Sequence, residues 1–127
     1  MRTKALLSIM GVLTFIVLLG CPNPATTPAD SEVTLSAIPG VTMPAYGATP
    51  VTTITETAQY TGTVAWNGTP STFAAGTVYT ATITLTAKAG YTFTGVAANY
   101  FTVAGSASVT NLANTGVITV QFPATGA

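Results

Sequence analysis

The sequence predicts an all-β fold in which a single antiparallel β-sandwich follows an apolar N-terminal segment and a proline-rich linker. Residues 79–88 alternate between apolar and polar side chains, which is the period of a strand with one buried face. Turn residues recur at intervals of about eight to twelve positions beyond residue 33. No segment after residue 33 combines a helical period with capping residues. These three observations favour strands throughout this part of the chain.

The clearest predicted strand covers residues 79–88. Its apolar face carries Tyr79, Ala81, Ile83, Leu85 and Ala87. The intervening positions are threonines and a final Lys88, which suit a face exposed to solvent. Threonine also favours extended backbone because its branched side chain packs well on a pleated surface.

Shorter alternating segments predict the remaining strands. Tyr60, Val64 and Trp66 share one face of a strand that ends at the strong turn signal Asn67-Gly68. Residues 51–57 are a further β-rich run. Near the C-terminus Ile118, Val120 and Phe122 alternate with polar residues, and residues 109–112 are their candidate partner across the turn at 114–116. Residues 91–94 form a short predicted strand between two glycines.

The strand pattern predicts an immunoglobulin-like sandwich over residues 33–127. About seven short strands with regular turns are typical of that architecture. Tyr79 follows Gly76 at the start of a strand, where such domains place a tyrosine whose hydroxyl bonds back to the backbone. The chain has one cysteine, so this prediction depends on the pattern alone and not on a disulfide. Prolines 39, 44 and 50 confine the first part of the module to loops or edge strands.

The N-terminus carries the features of a secretory signal. Arg2 and Lys4 precede an apolar run over residues 5–19. This run is shorter than the roughly 20 residues that a membrane-spanning helix needs, although an uncleaved anchor is the alternative interpretation. The following residues 22–32 contain three prolines and no hydrophobic period, which predicts a semi-rigid tether.

The sequence Leu18-Leu19-Gly20-Cys21 resembles the lipobox of bacterial lipoproteins. The resemblance implies that residues 1–20 are a signal peptide cleaved between Gly20 and Cys21, and that the Cys21 thiol receives a diacylglyceryl group. It also implies a protein anchored through Cys21 to a membrane outside the cytoplasm, at the outer membrane or the cell surface. Residues 21–32 are then the lipidated cysteine and its tether.

Composition excludes several classes of function. Beyond residue 20 the chain contains one lysine and three acidic residues, a formal charge of −2, so nothing basic remains to meet a nucleic acid. There is no histidine, and Asp30 and Glu32 lie in the tether, which leaves Glu56 without an acidic partner on a rigid element. Lys88, at a strand end, is expected to be solvated. We therefore expect a non-enzyme without a metal or cofactor.

Aromatic residues are the remaining candidates for ligand contact. Trp66 shares a face with Tyr60 and Val64, which favours a core position over a sugar-stacking platform. Adjacent residues on a strand point to opposite faces, so one of Tyr100 and Phe101 is expected to be exposed. The candidate contact residues are therefore Tyr46, Tyr100 and Phe101.

Most of the chain after about residue 37 resembles a repeat module of bacterial surface proteins, including spirochaete lipoproteins and proteins with S-layer homology domains. The resemblance is carried by GATPVTTIT at 47–55, QYTGTVAW at 59–66, FAAGTVYTATITL at 73–85 and GYTFTGV at 90–96, and it continues through 99–103 to 122–125. These motifs specify a fold, and the resemblance implies no catalytic residues.

The expected function is a non-catalytic cell-envelope lipoprotein that displays a structural or protein-interaction module. One alternative is an adhesin-type module that binds a carbohydrate or a host protein. Another is an accessory subunit that pairs through a sheet edge with a larger envelope assembly. An envelope protein, an extracellular protein or a glycan is therefore the expected partner.

Overall fold

The structure, a computed structural model, describes residues 29–126 and has an all-β fold. Its strands are β1 Ser31–Glu32, β2 Tyr60–Trp66, β3 Thr80–Ala87, β4 Tyr91–Thr92, β5 Ser108–Asn111 and β6 Val117–Gln121. Four of them form an antiparallel sheet in the order β2-β3-β6-β5, and β1 pairs with β4 in parallel. The prediction of an all-β fold is confirmed. The predicted signal peptide, Cys21 and the tether up to residue 28 lie outside the described residues.

The four-stranded sheet follows the predicted alternation. In the register of the sheet, Ile83 lies between Val64 on β2 and Ile118 on β6. All three side chains are buried, whereas the intervening threonines face outward. The predicted partner of the C-terminal strand is also confirmed, because β5 pairs with β6 from Ser108 to Asn111. One apolar face per strand therefore provides one half of the core.

Residues 51–57 run along the free edge of β2 without forming a regular strand. The Ile54 amide donates to the Gly62 carbonyl (3.2 Å), and the Val64 amide donates to the Thr52 carbonyl (2.8 Å). The run then leaves the sheet because the Thr55 amide turns to the Pro39 carbonyl (3.0 Å). The predicted β-rich run is therefore present as an irregular edge that covers β2.

The second layer begins with β1 and is mostly irregular. Residues 31–38 pair first with β4, in parallel, and then with Thr102 through an isolated parallel bridge at Ala37. The Val33 amide donates to the Thr92 carbonyl (3.0 Å), and the Ile38 amide donates to the Thr102 carbonyl (2.9 Å). Ser31–Glu32 thus belongs to the folded module, ahead of the predicted boundary at residue 33. The short strand predicted at 91–94 is regular only over Tyr91–Thr92.

Two aromatic groups fill the space between the layers. Phe73 packs against Trp66 and Tyr79, with ring centroids 4.9 and 4.7 Å apart. At the other end of the sheet Tyr60 meets Phe101 edge to face, with centroids 6.1 Å apart and planes at 89°. Such pairs contribute about 0.5–1.5 kcal/mol each beyond the area that they bury.

The two ends of the module differ in what they carry. We call the end with Gln59, Lys88 and the turn at 112–116 the tether end, because the Ser31 amide bonds to the Gly90 carbonyl there (2.8 Å). The opposite end, with Trp66 and Phe73, is called the far end. The tether therefore joins the module at one end of the sheet, and the turn after β2 lies at the other.

The tyrosine predicted to bond back to the backbone does so at the far end. The Tyr79 hydroxyl accepts a hydrogen bond from the Ala74 amide (2.9 Å). The adjoining C-terminal segment is bonded to the same loop, where the Thr77 amide donates to the Thr125 hydroxyl (3.0 Å) and the Thr125 amide donates to the Thr77 carbonyl (2.9 Å). These bonds fix the loop that precedes β3.

Candidate functional site

The structure separates the three aromatic residues predicted to contact a ligand. Tyr46 is exposed at the far end, with 62% of its surface accessible. Tyr100 is half-buried near the tether end, and Phe101 is buried at 2%. The predicted lipidation site, Cys21 with its cleavage partner Gly20, lies outside the described residues. The sequence-predicted positions therefore do not form one site.

The prediction of Phe101 as a contact residue is wrong. Its ring lies in the core between Tyr60 and Phe93, at centroid distances of 6.1 and 6.3 Å. The backbone beside it is paired, since the following residue, Thr102, bonds to residues 36 and 38. A ligand would have to separate the two layers to reach Phe101.

Tyr100 has a structural role at the surface of the second layer. Its hydroxyl donates to the Thr34 carbonyl (2.7 Å), and its ring packs against Phe101 with centroids 5.4 Å apart. This contact ties the backbone of residues 31–38 to the segment before the Thr102 bridge. Tyr100 therefore remains only partly accessible.

Tyr46 is presented on a tight turn anchored to the far end. The Ala48 amide bonds to the Ala45 carbonyl (2.9 Å), and Gly47 has the positive φ of 80° that this turn requires. The Gly47 amide donates to the Phe73 carbonyl (2.9 Å), which fixes the turn against the core. A central turn position explains why a large aromatic side chain is left exposed there.

A groove lies beside this turn at the end of β2, and we call it the Trp66 groove. Its volume is about 380 Å³. It is lined by Thr49, Pro50, Thr52, Val64, Ala65, Trp66, Thr69, Pro70 and Ser71. The Trp66 indole is only 6% exposed and donates its Nε1 hydrogen to the Val51 carbonyl (2.7 Å). The core interpretation of Trp66 is confirmed, since little of its ring is accessible from the groove.

The Trp66 groove combines apolar rings with hydroxyl groups and contains no charged side chain. Pro50 and Pro70 supply flat apolar surface, and the threonines and Ser71 supply hydrogen-bonding groups. Thr69 has a positive φ of 43°, a rare conformation for a β-branched residue. Strained backbone conformations of this kind cluster at active sites and ligand-binding sites. The arrangement suits an uncharged ligand with both apolar and hydroxyl faces.

Sequence reasoning missed the Trp66 groove because its residues come from separate loops. Asn67-Gly68 signals a turn, but nothing in the sequence shows that Thr69 and Pro70 return beside Pro50. The pairing of residues 51–57 with β2 brings them together. A Thr-Pro pair directly after a strong turn signal is the only local hint.

A second groove, which we call the Leu112 groove, lies on the outer face of the β5–β6 hairpin. Its volume is about 560 Å³, and it is lined by Ala98, Asn99, Thr110, Asn111, Leu112, Thr115, Val117 and Thr119. Leu112 and Val117 are large apolar side chains with exposures of 76% and 49%. This groove belongs to the tether end.

Charged chemistry is sparse in the part of the chain that the structure describes. Lys88 forms an ion pair with Glu56 at the surface. Within residues 29–126 no cluster of three or more acidic, histidine or cysteine side chains is placed to hold a metal ion. Burial raises the pKa of the Tyr60 hydroxyl, with the neighbouring Tyr100 as a smaller cause. This residue is buried in the core and lines neither groove.

Across residues 29–126 the structure contains no helix with the length and hydropathy to cross a bilayer. Comparisons of the chain with protein families, with curated proteins and with solved structures find no match.

Proposed function

We propose that this protein is a non-catalytic lipoprotein of the bacterial cell envelope that displays a β-module as a structural or protein-interaction domain. The observation that carries the proposal is the point at which the chain enters the module. The chain enters the module at Ser31, and the exposed turn of Tyr46 lies at the opposite end. A module held in this way presents its far end away from the surface to which it is attached.

The proposed attachment is the lipid on Cys21. The cationic N-terminus, the short apolar run and the lipobox-like sequence before Cys21 together support it. Stable anchoring of a protein to a bilayer takes more than one acyl chain, and a diacylglyceryl group provides two. The proline-rich residues 22–30 then space the module from the membrane outside the cytoplasm.

For the fold we propose an immunoglobulin-like sandwich. The four-stranded antiparallel sheet, the second layer across an aromatic core and the Tyr79 bond to the backbone support this assignment. The second layer has only one short pair of regular strands, β1 and β4. The assignment therefore depends on the layered arrangement and not on a full set of strands.

A non-catalytic role agrees with the chemistry of the described residues. General acid–base catalysis needs titratable groups held near each other in a cleft. Glu56 is paired with Lys88 at the surface, and both grooves are lined by uncharged side chains. The grooves are better suited to binding than to bond cleavage.

The proposal is tested by expressing the full chain in a bacterium beside its Cys21→Ser variant. The parent protein is expected in the membrane fraction with a mature mass that includes acyl groups, and external protease should degrade it on intact or outer-membrane-permeabilised cells. Cys21→Ser should lose the acyl mass and the membrane association. A parent protein that stays unmodified in the cytoplasm would refute the proposal.

A second candidate function, binding of an uncharged glycan at the far end, is favoured by the Trp66 groove. The strained Thr69 and the two prolines line it, together with Thr49, which directly follows the Tyr46 turn in the chain. Titration of the protein with neutral cell-wall polysaccharide fragments, followed by the emission of Trp66, tests this function. Saturable quenching that is lost in Tyr46→Ala but kept in Tyr100→Phe would support it. An unchanged emission and no heat of binding would count against it.

A further inference from the structure

Leu112 and Val117 form an exposed apolar pair on the β5–β6 hairpin. Asn111 is the partner of Ile118 in this hairpin, so the next residues along each strand, Leu112 and Val117, face each other across the turn. Their exposures are 76% and 49%, whereas the rest of the outer sheet face carries mainly threonines, with the smaller or polar Ala65, Ser108 and Gln121. Contiguous exposed apolar side chains mark a contact surface more often than single ones do.

The pair lies on one wall of the Leu112 groove, which is open to solvent and uncharged. Ala98, Asn99, Thr110 and Thr119 also line this groove. A concave surface of about 560 Å³ with an aliphatic rim can accept a flexible apolar chain. A surface without charged groups has no electrostatic attraction to a polyanion or polycation.

This surface is placed next to the point where the tether joins the module. The Asn114 side chain accepts a hydrogen bond from the Gly95 amide (2.7 Å), and the Glu32 carboxylate lies against Gly95. The turn that carries Leu112 is therefore linked through Gly95 to β1. The tether ends one residue before β1, at Asp30.

The length of the tether keeps this end of the module near the bilayer. The nine residues 22–30 would span ~28 Å in a polyproline II conformation, at ~3.1 Å per residue. A segment of this length holds the tether end at a high effective concentration of lipid. Even a small apolar surface can then remain in contact with the bilayer, because the anchor already confines the module to the membrane and removes most of the entropic cost of association.

We propose that Leu112 and Val117 insert into the surface of the membrane that anchors the protein, so that the module has a second, reversible lipid contact beside the Cys21 anchor. The inference depends on the proposed lipid anchor. The contact fixes the tilt of the module on the bilayer and directs the Tyr46 turn away from it.

The charges at the tether end specify the kind of lipid. Asp30 and Glu32 are acidic, and the one nearby lysine, Lys88, is paired with Glu56. An anionic bilayer would repel this end within the screening distance of about 10 Å at 0.1 M salt. The proposed partner is therefore a zwitterionic phospholipid surface, and added anionic lipid should weaken the contact at low salt.

The test uses the chain from Cys21 onward, which keeps every described residue. Cys21 is its single cysteine, so it couples at one position to a maleimide-bearing lipid in phosphatidylcholine vesicles. Leu112→Trp places a second tryptophan in the proposed contact, and Tyr46→Trp places one in an exposed turn at the far end. Both variants keep the buried Trp66 as an internal reference for folding.

The emission of Leu112→Trp is expected to shift to the blue on coupling and to be quenched by lipids brominated on their acyl chains. The emission of Tyr46→Trp should neither shift on coupling nor be quenched by the brominated lipids. Leu112→Trp emission that stays red-shifted and unquenched while Trp66 remains native-like would overturn the inference. A blue shift that grows with protein density but resists the brominated lipid would instead indicate contact with a second copy, and would overturn it equally.

This design separates the two proposals. Chemical coupling supplies the anchor, so the lipid contact is measured whether or not cells modify Cys21. If cells do not acylate Cys21 but Leu112→Trp is still quenched on coupled vesicles, only the proposed anchor is refuted. If cells acylate Cys21 but Leu112→Trp is not quenched on coupled vesicles, only the proposed second contact is refuted.

Discussion

The two layers of the module are held together in different ways. The four-stranded sheet is a regular ladder in which backbone groups pair with each other and apolar side chains alternate with threonines. The second layer has a single short pair of strands, β1 and β4, and an isolated bridge at Thr102. Besides these backbone pairs, its backbone is secured by polar side chains that reach across from neighbouring segments.

Four side chains provide most of these side-chain bonds. Gln59 and Tyr60 bond to the backbone of residues 34–37, and Tyr100 bonds to the Thr34 carbonyl. The Asn111 side chain bonds to the backbone of residue 97 and of residues 100–101. Buried backbone must be paired, and where no strand is available a side chain has to take its place. Single substitutions should therefore affect the second layer more than the sheet.

The largest effect is expected for Asn111→Ala. The Asn111 side chain is 5% exposed, and its carbonyl oxygen accepts from the Tyr100 amide (2.8 Å) while its nitrogen donates to the Ala97 carbonyl (3.2 Å). Removal leaves buried backbone groups unpaired, so the free energy of unfolding should fall by about 3 kcal/mol. Denaturant unfolding measures this change.

Thr110→Ala is the matched control for Asn111→Ala. Thr110 precedes Asn111 on β5 and faces solvent, so its truncation should change the stability by no more than about 0.5 kcal/mol. Equal losses in the two variants would show that the second layer does not depend on its side-chain bonds, and the contrast between the layers would fail.

This contrast also explains what could be predicted from the sequence. The faces of β2, β3 and β6 follow from alternation because a half-buried strand requires it. The partner of β6 was predicted as residues 109–112 and begins and ends one residue earlier, at Ser108–Asn111. The second layer could not be predicted in the same way, since a buried Asn111 or a bridging Gln59 has no period and no motif.

The candidate sites were less predictable than the fold. Tyr46 was predicted only as a possible contact residue, and the structure shows it to be exposed. Phe101 was placed in the same group because alternation shows that neighbouring residues face opposite sides of a strand, but does not show which of them faces the core. The two grooves depend on tertiary pairing of loops distant in the sequence. Local pattern carries no information about such pairing.

The next effect is expected for Tyr60→Phe. The Tyr60 hydroxyl donates to the Leu35 and Ala37 carbonyls at 3.0 and 3.2 Å, so its loss should lower the stability by about 1–2 kcal/mol. Burial, and to a smaller extent Tyr100, raises the pKa of this hydroxyl. The unfolded chain therefore ionises first, and the stability contributed by Tyr60 is full below about pH 10. It is lost as the pH rises from there through the folded pKa.

Stability curves between pH 8 and pH 12 test this pair of expectations. Tyr60→Phe should be less stable than the parent at neutral pH and should decline less steeply in alkali. Tyr46→Phe, at an exposed position, should retain the parent's neutral stability. An alkaline decline that is identical in Tyr60→Phe and the parent would contradict the role assigned to burial of this hydroxyl.

A smaller effect is expected for Gln59→Ala. The Gln59 side-chain oxygen accepts from the Thr34 and Leu35 amides (2.8 and 2.9 Å), but these bonds are accessible to water, which can replace them. The stability should fall by about 1 kcal/mol. Hydrogen exchange offers the sharper readout, because the amides of Thr34 and Leu35 should exchange faster while those of β3 keep their protection. Uniform loss of protection in both layers would argue against a local role for Gln59.

The smallest effect is expected for Lys88→Ala, which removes the ion pair that joins the end of β3 to the irregular edge at Glu56. The two side chains are 32% and 65% exposed, so water and salt screen their attraction, and such pairs contribute about 0.2–1 kcal/mol. The loss should be at the lower end of this range and should vanish as the salt concentration rises. A double-mutant cycle with Glu56→Gln isolates the coupling of the two charges. Coupling well above 1 kcal/mol would mean that the edge of the sheet, like the second layer, depends on a side-chain contact. Backbone pairing would then contribute less to the stability of the sheet than its regular ladder of hydrogen bonds suggests.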